Sequence, residues 1–441
     1  MRQARDANVC PVVSNFGKLP AVHEAWLPRE HSLHRPRHSR HQIAALLCAV
    51  LFFVTPTALW AIGLRPSEIE NRPLAAFPGP EQGWEMATEL PGWATDQLIF
   101  RGEAIGAVDA ISRTVFGEPA PFGSAPDRGP LPGVPAEGGT PGAEVPPSQA
   151  GYSRVIEGKD GWLYLGSDVS GKCHPQQLVG RSVEKLLKLR DAVESSGRTF
   201  LLVIAPDKTT MVPQYLPDSY AGKDCAAEAT ERLWPPLTGG AGAIDLRETL
   251  AETASRIGEP VYFPQDSHWK HEGSIALARL LTEKLAPGRT ATWDVVPDGI
   301  HYGPADLPPM LGKRATAVST NYQLRPDGVT NRTSKQPRSL RKPVRMTSEP
   351  LDGTINDRTL VFGDSFAAAS ANYLGAAFTD LTLLGYATWQ ADRDATLREF
   401  VAAEVVVVEI VERVVASGTV GFLSDDFIDT LRPRLAARPL R

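Results

Sequence analysis

The sequence predicts an α/β protein, in which a mostly parallel sheet carries helices on both faces and one transmembrane helix precedes it. Continuous apolar runs such as 199–205 (TFLLVIA) and 405–410 (VVVVEI) are typical of strands that are buried on both faces. Segments with the apolar spacing of helices lie between these runs. Strands that alternate with helices in this way favour a parallel sheet.

The composition is that of a folded protein with one large domain and extensions. Of the 441 residues, 42% are hydrophobic and 22% are charged, which excludes a wholly disordered chain and a collagen-like chain. The net charge of -5 argues against a dedicated nucleic-acid binder, because such proteins are normally basic. The sequence contains no metal-ligand constellation, phosphate-binding glycine loop or dinucleotide fingerprint, so we expect no metal and no other cofactor.

The candidate membrane anchor is residues 43–64, which contain no charged side chain over 22 positions. A helix of this length crosses a hydrocarbon core of about 30 Å. A cleavable signal peptide and a buried core helix are the alternatives. We favour an uncleaved anchor, because about 40 residues precede the run and no small-residue cleavage site follows it cleanly.

The charge distribution predicts the orientation of this anchor. Residues 1–42 form a basic tail, with seven lysines and arginines in 1–41, whereas the charges just after Leu64 are balanced. The positive-inside rule therefore places the tail in the cytoplasm and all later residues outside it. We expect a single-pass protein of the cell membrane with an extracytoplasmic or periplasmic domain.

The exported part divides into three segments. Residues 65–117 contain one helical pattern, around 94–116, and are too few for an independent core, so we expect them to dock on the main domain. Residues 118–150 are rich in Pro and Gly and are interpreted as a flexible or extended linker. Residues 151–441 form the main domain.

The main domain contains a series of predicted elements, and ligands of such sheets bind at the carboxyl ends of the strands. We expect helices over 182–195, near 227–235, over 272–285 and after 362, and strands at 199–205, 243–246, 261–263, 359–362 and 405–410.

Two of the four cysteines, Cys173 and Cys225, fall in the main domain. An oxidising compartment favours a disulfide between them. Two unpaired buried thiols are the alternative.

A candidate nucleophile follows the strand at 359–362. Ser365 lies in the sequence Gly-Asp-Ser-Phe at a strand-to-helix turn, where its hydroxyl is raised above the sheet edge and helix N–H groups can stabilise an oxyanion. Gly-Asp-Ser is also common in ordinary turns, so this motif alone does not identify a catalytic serine.

A candidate base follows the strand at 261–263. A serine hydroxyl is a poor nucleophile until a base takes its proton, and a histidine base needs an orienting carboxylate. Asp266 and His268 are two residues apart, so in an extended segment their side chains point to the same side. We predict a triad of Ser365, His268 and Asp266, although His268 alone is also compatible with a surface or metal-ligand histidine.

Four further residues are predicted to contact the substrate, because they lie beside these motifs or after a strand: Asp207, Lys208, Trp269 and Asp364. The alternatives are a solvated ion pair for Asp207 and Lys208, and simple burial for Trp269.

The sequence resembles the SGNH-hydrolase-like domains of bacterial polysaccharide O-acetyltransferases of the AlgJ and AlgX type. The resemblance spans roughly 65–415, and its specificity comes from an ordered series of motifs. These are ENRP at 70–73, GKDGWLYL at 158–165, APDK at 205–208, YLP at 215–217, DSHW at 266–269, GDSF at 363–366 and VEIVER at 408–413.

The resemblance implies that 151–441 is an SGNH-like catalytic domain in which Ser365 carries an acetyl group as a covalent ester. His268 would act as its base and then its acid, and Asp266 would orient His268. The implied function is O-acetylation of a cell-envelope or secreted polysaccharide. Cytosolic acetyl-CoA cannot reach this site, so a multi-span MBOAT-type membrane protein is implied as the acetyl donor. A carbohydrate acetyl esterase and a catalytically inactive scaffold of a polysaccharide assembly complex are the alternatives.

Overall fold

The computed structural model describes residues 27–28, 30–31, 40–66, 74–79, 83–116, 152–337 and 339–440. The predicted linker, the motif at 70–73 and most of the predicted cytoplasmic tail lie outside the described residues. The chain forms two compact units, Met1–Arg65 and Pro66–Arg441.

The first unit contains helix α1, Arg40–Ala61, which includes Pro56. Its segment Ile43–Ala61 has a mean hydropathy of 2.2 and no buried residues, and it is long and apolar enough to cross a membrane. Among the described residues it is the one helix with these properties, and it is compatible with a single-pass anchor.

The second unit begins with helices α2, Glu85–Asp96, and α3, Arg101–Phe116. The helix that the sequence predicted around 94–116 corresponds to α3, and α2 was not predicted. At the end of α2, the carboxylate of Asp96 accepts hydrogen bonds from Ala75 N at 3.1 Å and from Arg101 Nη1 at 2.7 Å. Helix α3 packs on the main domain through Gly106, where an added Cβ would lie 2.8 Å from the carbonyl oxygen of Gly312.

The described part of the main domain contains two antiparallel sheets of two strands each and one sheet of six strands. The strands are β1 Val155–Glu157, β2 Leu163–Leu165, β3 Thr199–Ala205, β4 Ile244–Asp245, β5 Asp294–Pro304, β6 Thr316–Arg325, β7 Val344–Thr347, β8 Thr359–Gly363, β9 Asp380–Gly385 and β10 Val405–Val411. The six-stranded order is β4-β3-β10-β8-β9-β7. All neighbours in it are parallel except the edge pair β7 and β9.

Helices cover both faces of this sheet. The helices of the main domain are α4 Ser167–Cys173, α5 Val179–Glu194, α6 Lys208–Met211, α7 Lys223–Pro235, α8 Arg247–Ile257, α9 His271–Leu285, α10 Ser365–Ala369, α11 Ala371–Ala377, α12 Thr388–Ala391, α13 Arg393–Ala402, α14 Glu412–Ser417 and α15 Asp425–Ala436. Alternate side chains of β10 enter different cores: Val407 packs with residues of α9 and α11, and Val408 packs with residues of α5, α13 and α15. This arrangement confirms the predicted α/β class.

Strands β5 and β6 form a long antiparallel pair that the sequence did not predict. The side chains of β5 are exposed or half-buried along its whole length. The strand therefore lacks the continuous apolar run by which buried strands are recognised.

The prediction of a strand at 261–263 is wrong. Tyr262 makes only an isolated bridge with Trp269, and Lys270 N donates to Val261 O at 2.6 Å. The segment folds back on itself because its apolar side chains pack into the core while its backbone groups pair locally. His268 consequently lies on a tight loop and not at the end of a sheet strand.

Candidate active site

Ser365 lies at the turn between β8 and α10 and is half-buried. An added Cβ at Gly363 would lie 2.7 Å from Glu409 Oε2 and 2.8 Å from Ala367 Cβ, so glycine is needed where the strand passes these groups. The side chain of Asp364 caps α10 by accepting a hydrogen bond from Phe366 N at 2.9 Å.

Asp364 also joins this turn to its neighbours. Its Oδ2 accepts hydrogen bonds from Val411 N at 2.9 Å, at the end of the adjacent strand β10, and from Tyr386 Oη at 3.2 Å. The expected contact between Asp364 and substrate stays a prediction, because Asp364 is only half-buried. Both carboxylate oxygens accept hydrogen bonds from the protein, and they hold the serine turn in place.

Asp266 and His268 form a hydrogen-bonded pair. Nδ1 of His268 lies 2.8 Å from Oδ1 of Asp266, which also accepts from His268 N at 2.9 Å. Burial alone would raise the pKa of Asp266, but the charge and hydrogen bonds of His268 outweigh burial and lower it. Burial alone would lower the pKa of His268, but the charge and hydrogen bond of Asp266 outweigh burial and raise this pKa. Each partner thus stabilises the charged form of the other.

Asp306, which follows β5, is a site residue that the sequence analysis missed. Its carboxylate accepts hydrogen bonds from Ser267 N at 2.8 Å and from Ser267 Oγ, and its backbone N donates to Asp266 Oδ2 at 3.0 Å. Its Oδ2 lies 3.6 Å from His268 Nδ1. Burial and the nearby charge of Asp266 raise the pKa of Asp306. No motif surrounds Asp306 in the sequence. Sequence patterns therefore did not identify it, since only the fold of the β5–β6 pair brings it close to His268.

His268 is adjacent to the serine turn. Its ring centroid lies 4.9 Å from that of Phe366, the residue after Ser365. Its Nε2 is buried and makes no hydrogen bond to the described residues. No hydrogen bond joins Nε2 to Ser365 Oγ in the described part of the chain. Nδ1 is therefore occupied by a carboxylate while Nε2 remains able to accept a proton, as a general base requires.

The spacing of this group is also compatible with a metal ion. Ligand atoms of Asp266, His268 and Asp306 lie within 4.8 Å of one another. The donor set favours a proton instead, because a short Nδ1 to carboxylate contact requires a hydrogen on Nδ1, and a metal would displace it.

Three further expectations are corrected by burial. Trp269 is 1% exposed, donates from Nε1 to Ser370 Oγ at 3.1 Å and packs against Phe366, so it is a core residue. Asp207 and Lys208 are also buried, which excludes both a substrate contact and a solvated ion pair. Their polar groups bind protein partners, because a charge in this position is stable only when it is paired or hydrogen-bonded.

Asp207 belongs to a buried charge cluster that the sequence analysis did not find. Lys172 Nζ lies 3.2 Å from Asp207 Oδ2 and 2.8 Å from Glu412 Oε1. Arg413 Nη1 lies 3.3 Å from Asp207 Oδ1 and 3.5 Å from Asp168 Oδ1. The cluster joins the ends of β3 and β10 to α4. The next residue of α4, Cys173, forms a disulfide with Cys225 of α7.

A mostly parallel sheet with a serine turn at its carboxyl edge and an Asp-His loop beside it has the architecture of an SGNH hydrolase-like domain. The family model described as SGNH hydrolase-like domain, acetyltransferase AlgX, matches residues 155–383. This match is more than half of the 441 residues, so the chain belongs to that family. Membership supports an acetyltransferase activity at the level of the family.

The individual proteins that this chain resembles share less than 30% of their residues with it over the aligned regions. The chain is 27% identical over 136 residues to the Probable alginate O-acetylase AlgJ of Pseudomonas syringae pv. tomato, which is 31% of this chain and 34% of that protein. The chain therefore spans about a third of the curated relative that it matches. The O-acetyltransferase domain of Pseudomonas putida AlgJ has a TM-score of 0.41 at 16% identity, covering 63% of this chain and 98% of that one. Pseudomonas aeruginosa AlgX has a TM-score of 0.42 at 14% identity, covering 64% of this chain and 65% of that one.

Proposed function

We propose that this protein is a membrane-anchored O-acetyltransferase that acetylates a polysaccharide outside the cytoplasm, with Ser365, His268 and Asp266 as its catalytic triad. One observation carries the proposal: His268 Nδ1 is bonded to Asp266 at 2.8 Å, while Nε2 has no partner among the described residues and the ring lies against Phe366. Membership of the acetyltransferase family supports acetyl transfer as the reaction.

The proposed reaction has two steps. In the first, Ser365 Oγ attacks the acetyl carbonyl while His268 Nε2 takes the hydroxyl proton, and the donor group then leaves with that proton. In the second, a sugar hydroxyl gives its proton to Nε2 and attacks acetyl-Ser365. The bond to Oγ breaks, Oγ takes the proton, and the acetylated sugar departs. Asp266 stabilises the imidazolium formed in both steps.

The acceptor and the location are proposed on separate grounds. The matched Pseudomonas syringae protein is named for alginate, a polysaccharide, so we propose a polysaccharide acceptor. Helix α1 is proposed as an anchor with its N-terminus in the cytoplasm, following the charge asymmetry around it. A multi-span MBOAT-type protein is the proposed acetyl donor, because a single helix provides no path for acetyl groups across a membrane.

The test uses the full-length protein in nanodiscs with p-nitrophenyl acetate and a neutral or acidic oligosaccharide. We expect mass spectrometry to find an acetyl adduct on the Ser365 peptide and acetylated oligosaccharide in solution. Ser365→Ala should abolish both, and Ser153→Ala, at an exposed serine, should change neither.

Other outcomes would contradict the proposal. Free acetate as the only product, with the adduct still present, would identify an esterase that uses the same triad. A protein that forms neither adduct nor product, in which Ser365→Ala behaves as wild type in cells, would be an inactive scaffold.

A further inference from the structure

Two backbone donors of the serine turn are engaged in hydrogen bonds to Asp364. Phe366 N donates to Asp364 Oδ1 at 2.9 Å, and Ala368 N donates to Asp364 O at 3.1 Å. Attack by Ser365 places a negative charge on the acetyl oxygen, which needs preorganised donors around it. Phe366 N and Ala368 N are thus engaged within the turn, so a side-chain donor near Ser365 would add to the donors that the backbone still offers.

Arg413 lies at the same edge of the sheet as Ser365. Strand β10 is the parallel neighbour of β8, with Val408 opposite Phe362, and Val411 N is hydrogen-bonded to the Asp364 carboxylate. Arg413 follows two residues later, near the start of α14. Its guanidinium carbon lies 5.7 Å from the ring centroid of Phe366, the same ring that His268 contacts.

The guanidinium of Arg413 is held in one orientation. Asp168 and Asp207 both bind Nη1, and their side chains are 2% and 0% exposed. Burial alone would lower the pKa of Arg413, but the charges of Asp168 and Asp207 outweigh burial and raise it. Arg413 therefore remains a fixed positive charge at every pH at which the protein is folded.

The remaining donors of Arg413 are free. Nε and Nη2 make no hydrogen bond within the described part of the chain, and 14% of the side chain is exposed. The charge of Arg413 also acts on the catalytic pair: burial and Asp266 have the largest effects on the pKa of His268, and Arg413 lowers it. The guanidinium thus acts on the imidazole by its charge and lies near the ring of the residue that follows Ser365.

We propose that Arg413 is a catalytic residue that donates, through Nε or Nη2, to the carbonyl oxygen of the acetyl group. As the bond from Ser365 Oγ to the carbonyl carbon forms, the electron pair of the C=O bond moves to oxygen and the hydroxyl proton moves to His268. Arg413 stabilises the oxyanion without transferring a proton. When this electron pair returns to form the C=O bond again, the bond between the carbonyl carbon and the donor's leaving group breaks, and His268 protonates that group.

The inference rests on the proposed function, and its test isolates the first step. Full-length protein in nanodiscs is mixed with p-nitrophenyl acetate without any sugar, and the rate of Ser365 acetylation is measured. We expect Arg413→Gln to lower this rate by about 100-fold or more, the usual effect of losing one oxyanion donor. Arg345→Gln removes another arginine bonded to an aspartate, at the protein surface, and should leave the rate unchanged.

A second variant separates catalysis from folding, because removal of Arg413 leaves two buried carboxylates without their partner. We expect Arg413→Gly to regain part of its acetylation rate when guanidinium is added at a concentration too low to unfold it. Arg413→Lys should retain more activity than Arg413→Gln.

Three results would overturn the inference. One is a wild-type acetylation rate in Arg413→Gln. Another is a reduced rate that neither guanidinium nor lysine restores, together with a lower melting temperature, which would leave Arg413 a structural role only. A wild-type protein that forms no acetyl-Ser365 would overturn the proposed function itself, and this inference with it.

Discussion

Lys208 Nζ donates a hydrogen bond to the carbonyl oxygen of Asp266 at 3.0 Å. The same ammonium group donates to the carbonyls of Leu163 and Pro264, at 2.6 and 2.8 Å. Lys208 is the first residue of α6, shortly after β3, so these bonds hold the loop that carries the Asp-His pair against the end of the central sheet. A lysine that was expected to contact substrate instead positions the proposed base.

The first prediction concerns this anchor. Lys208→Met leaves three carbonyls without their donor, and we expect it to lower the free energy of unfolding by about 3 kcal/mol and to reduce activity. Denaturant unfolding of the full-length protein measures the first effect. Lys223→Met is the matched control, because Lys223 also donates to a carbonyl but is exposed, and a change of less than about 1 kcal/mol is expected there. Equal effects of the two variants would contradict the anchoring role.

The second prediction concerns the pH dependence of activity. His268 must be unprotonated to act as a base, so activity is lost as the pH falls through its pKa. Burial lowers this pKa, Asp266 and Asp306 raise it, Arg413 lowers it, and the result lies above the ordinary value of 6.5. Asp266→Asn removes the largest raising effect, so the acidic limb of the pH–rate profile should move to lower pH.

The rates of two variants complete this test. Asp266→Asn should also lower the rate by about 10⁴-fold, as loss of the orienting carboxylate does in serine triads. Asp306→Asn should move the acidic limb less, because Asp306 lies 3.6 Å from Nδ1 and Asp266 lies 2.8 Å from it. An acidic limb that Asp266→Asn leaves in place would argue against His268 as the base.

The third prediction concerns the disulfide between Cys173 and Cys225. The bond closes a loop with a sequence separation of 52. Restriction of the unfolded chain by such a loop corresponds to about 4 kcal/mol, so Cys173→Ser with Cys225→Ser should lower the unfolding free energy by roughly that amount. Cys48→Ser, at an unpaired exposed cysteine, is the control. Stability that is the same before and after reduction of the wild-type protein would refute this prediction.

The fourth prediction concerns Glu409, which is 1% exposed within β10. Burial raises its pKa well above the ordinary 4.5, and the neighbouring Asp364 raises it further. Between the unfolded and folded pKa values the folded chain binds more protons than the unfolded chain, so the unfolding free energy falls as the pH rises through that interval. Glutamine cannot ionise, so a glutamine at this position removes the fall in unfolding free energy.

Glu409→Gln should therefore match the wild type at a pH of about 4 and be more stable than it at a pH of about 8. Unfolding by denaturant at the two pH values measures the difference. A difference in stability that stays constant with pH would show that Glu409 is ionised in the folded protein.

The sequence predicted the limits of the central strands to within one residue but missed the antiparallel pair beside the sheet. Strand β3 has the predicted limits, and β8 and β10 each extend one residue further than expected. These strands are buried on both faces, so almost every residue in them is apolar. The pair β5 and β6 was missed because its side chains are largely exposed.

Among the site residues, local motifs identified those whose roles depend on their neighbours in the chain. Ser365 at a strand-to-helix turn, and the pairing of Asp266 with His268, follow from short-range geometry. Asp306 was not identified, and Arg413 was noted only as part of the motif at 408–413, because each lies far from His268 along the chain. Trp269 and Lys208 were misassigned, because a motif does not reveal whether a side chain points outward or is buried.

The order of apolar runs and turns along the chain was by itself enough to determine the α/β class, the membrane-helix candidate and the position of the serine turn. Each of these depends on residues close together in the sequence. Only the tertiary structure decided which charges surround His268 and which donors lie beside Ser365, because strand order and the return of the β5–β6 pair bring together residues far apart in the chain. Burial in that fold and the charges that it brings together then set the pKa values on which the proposed chemistry depends.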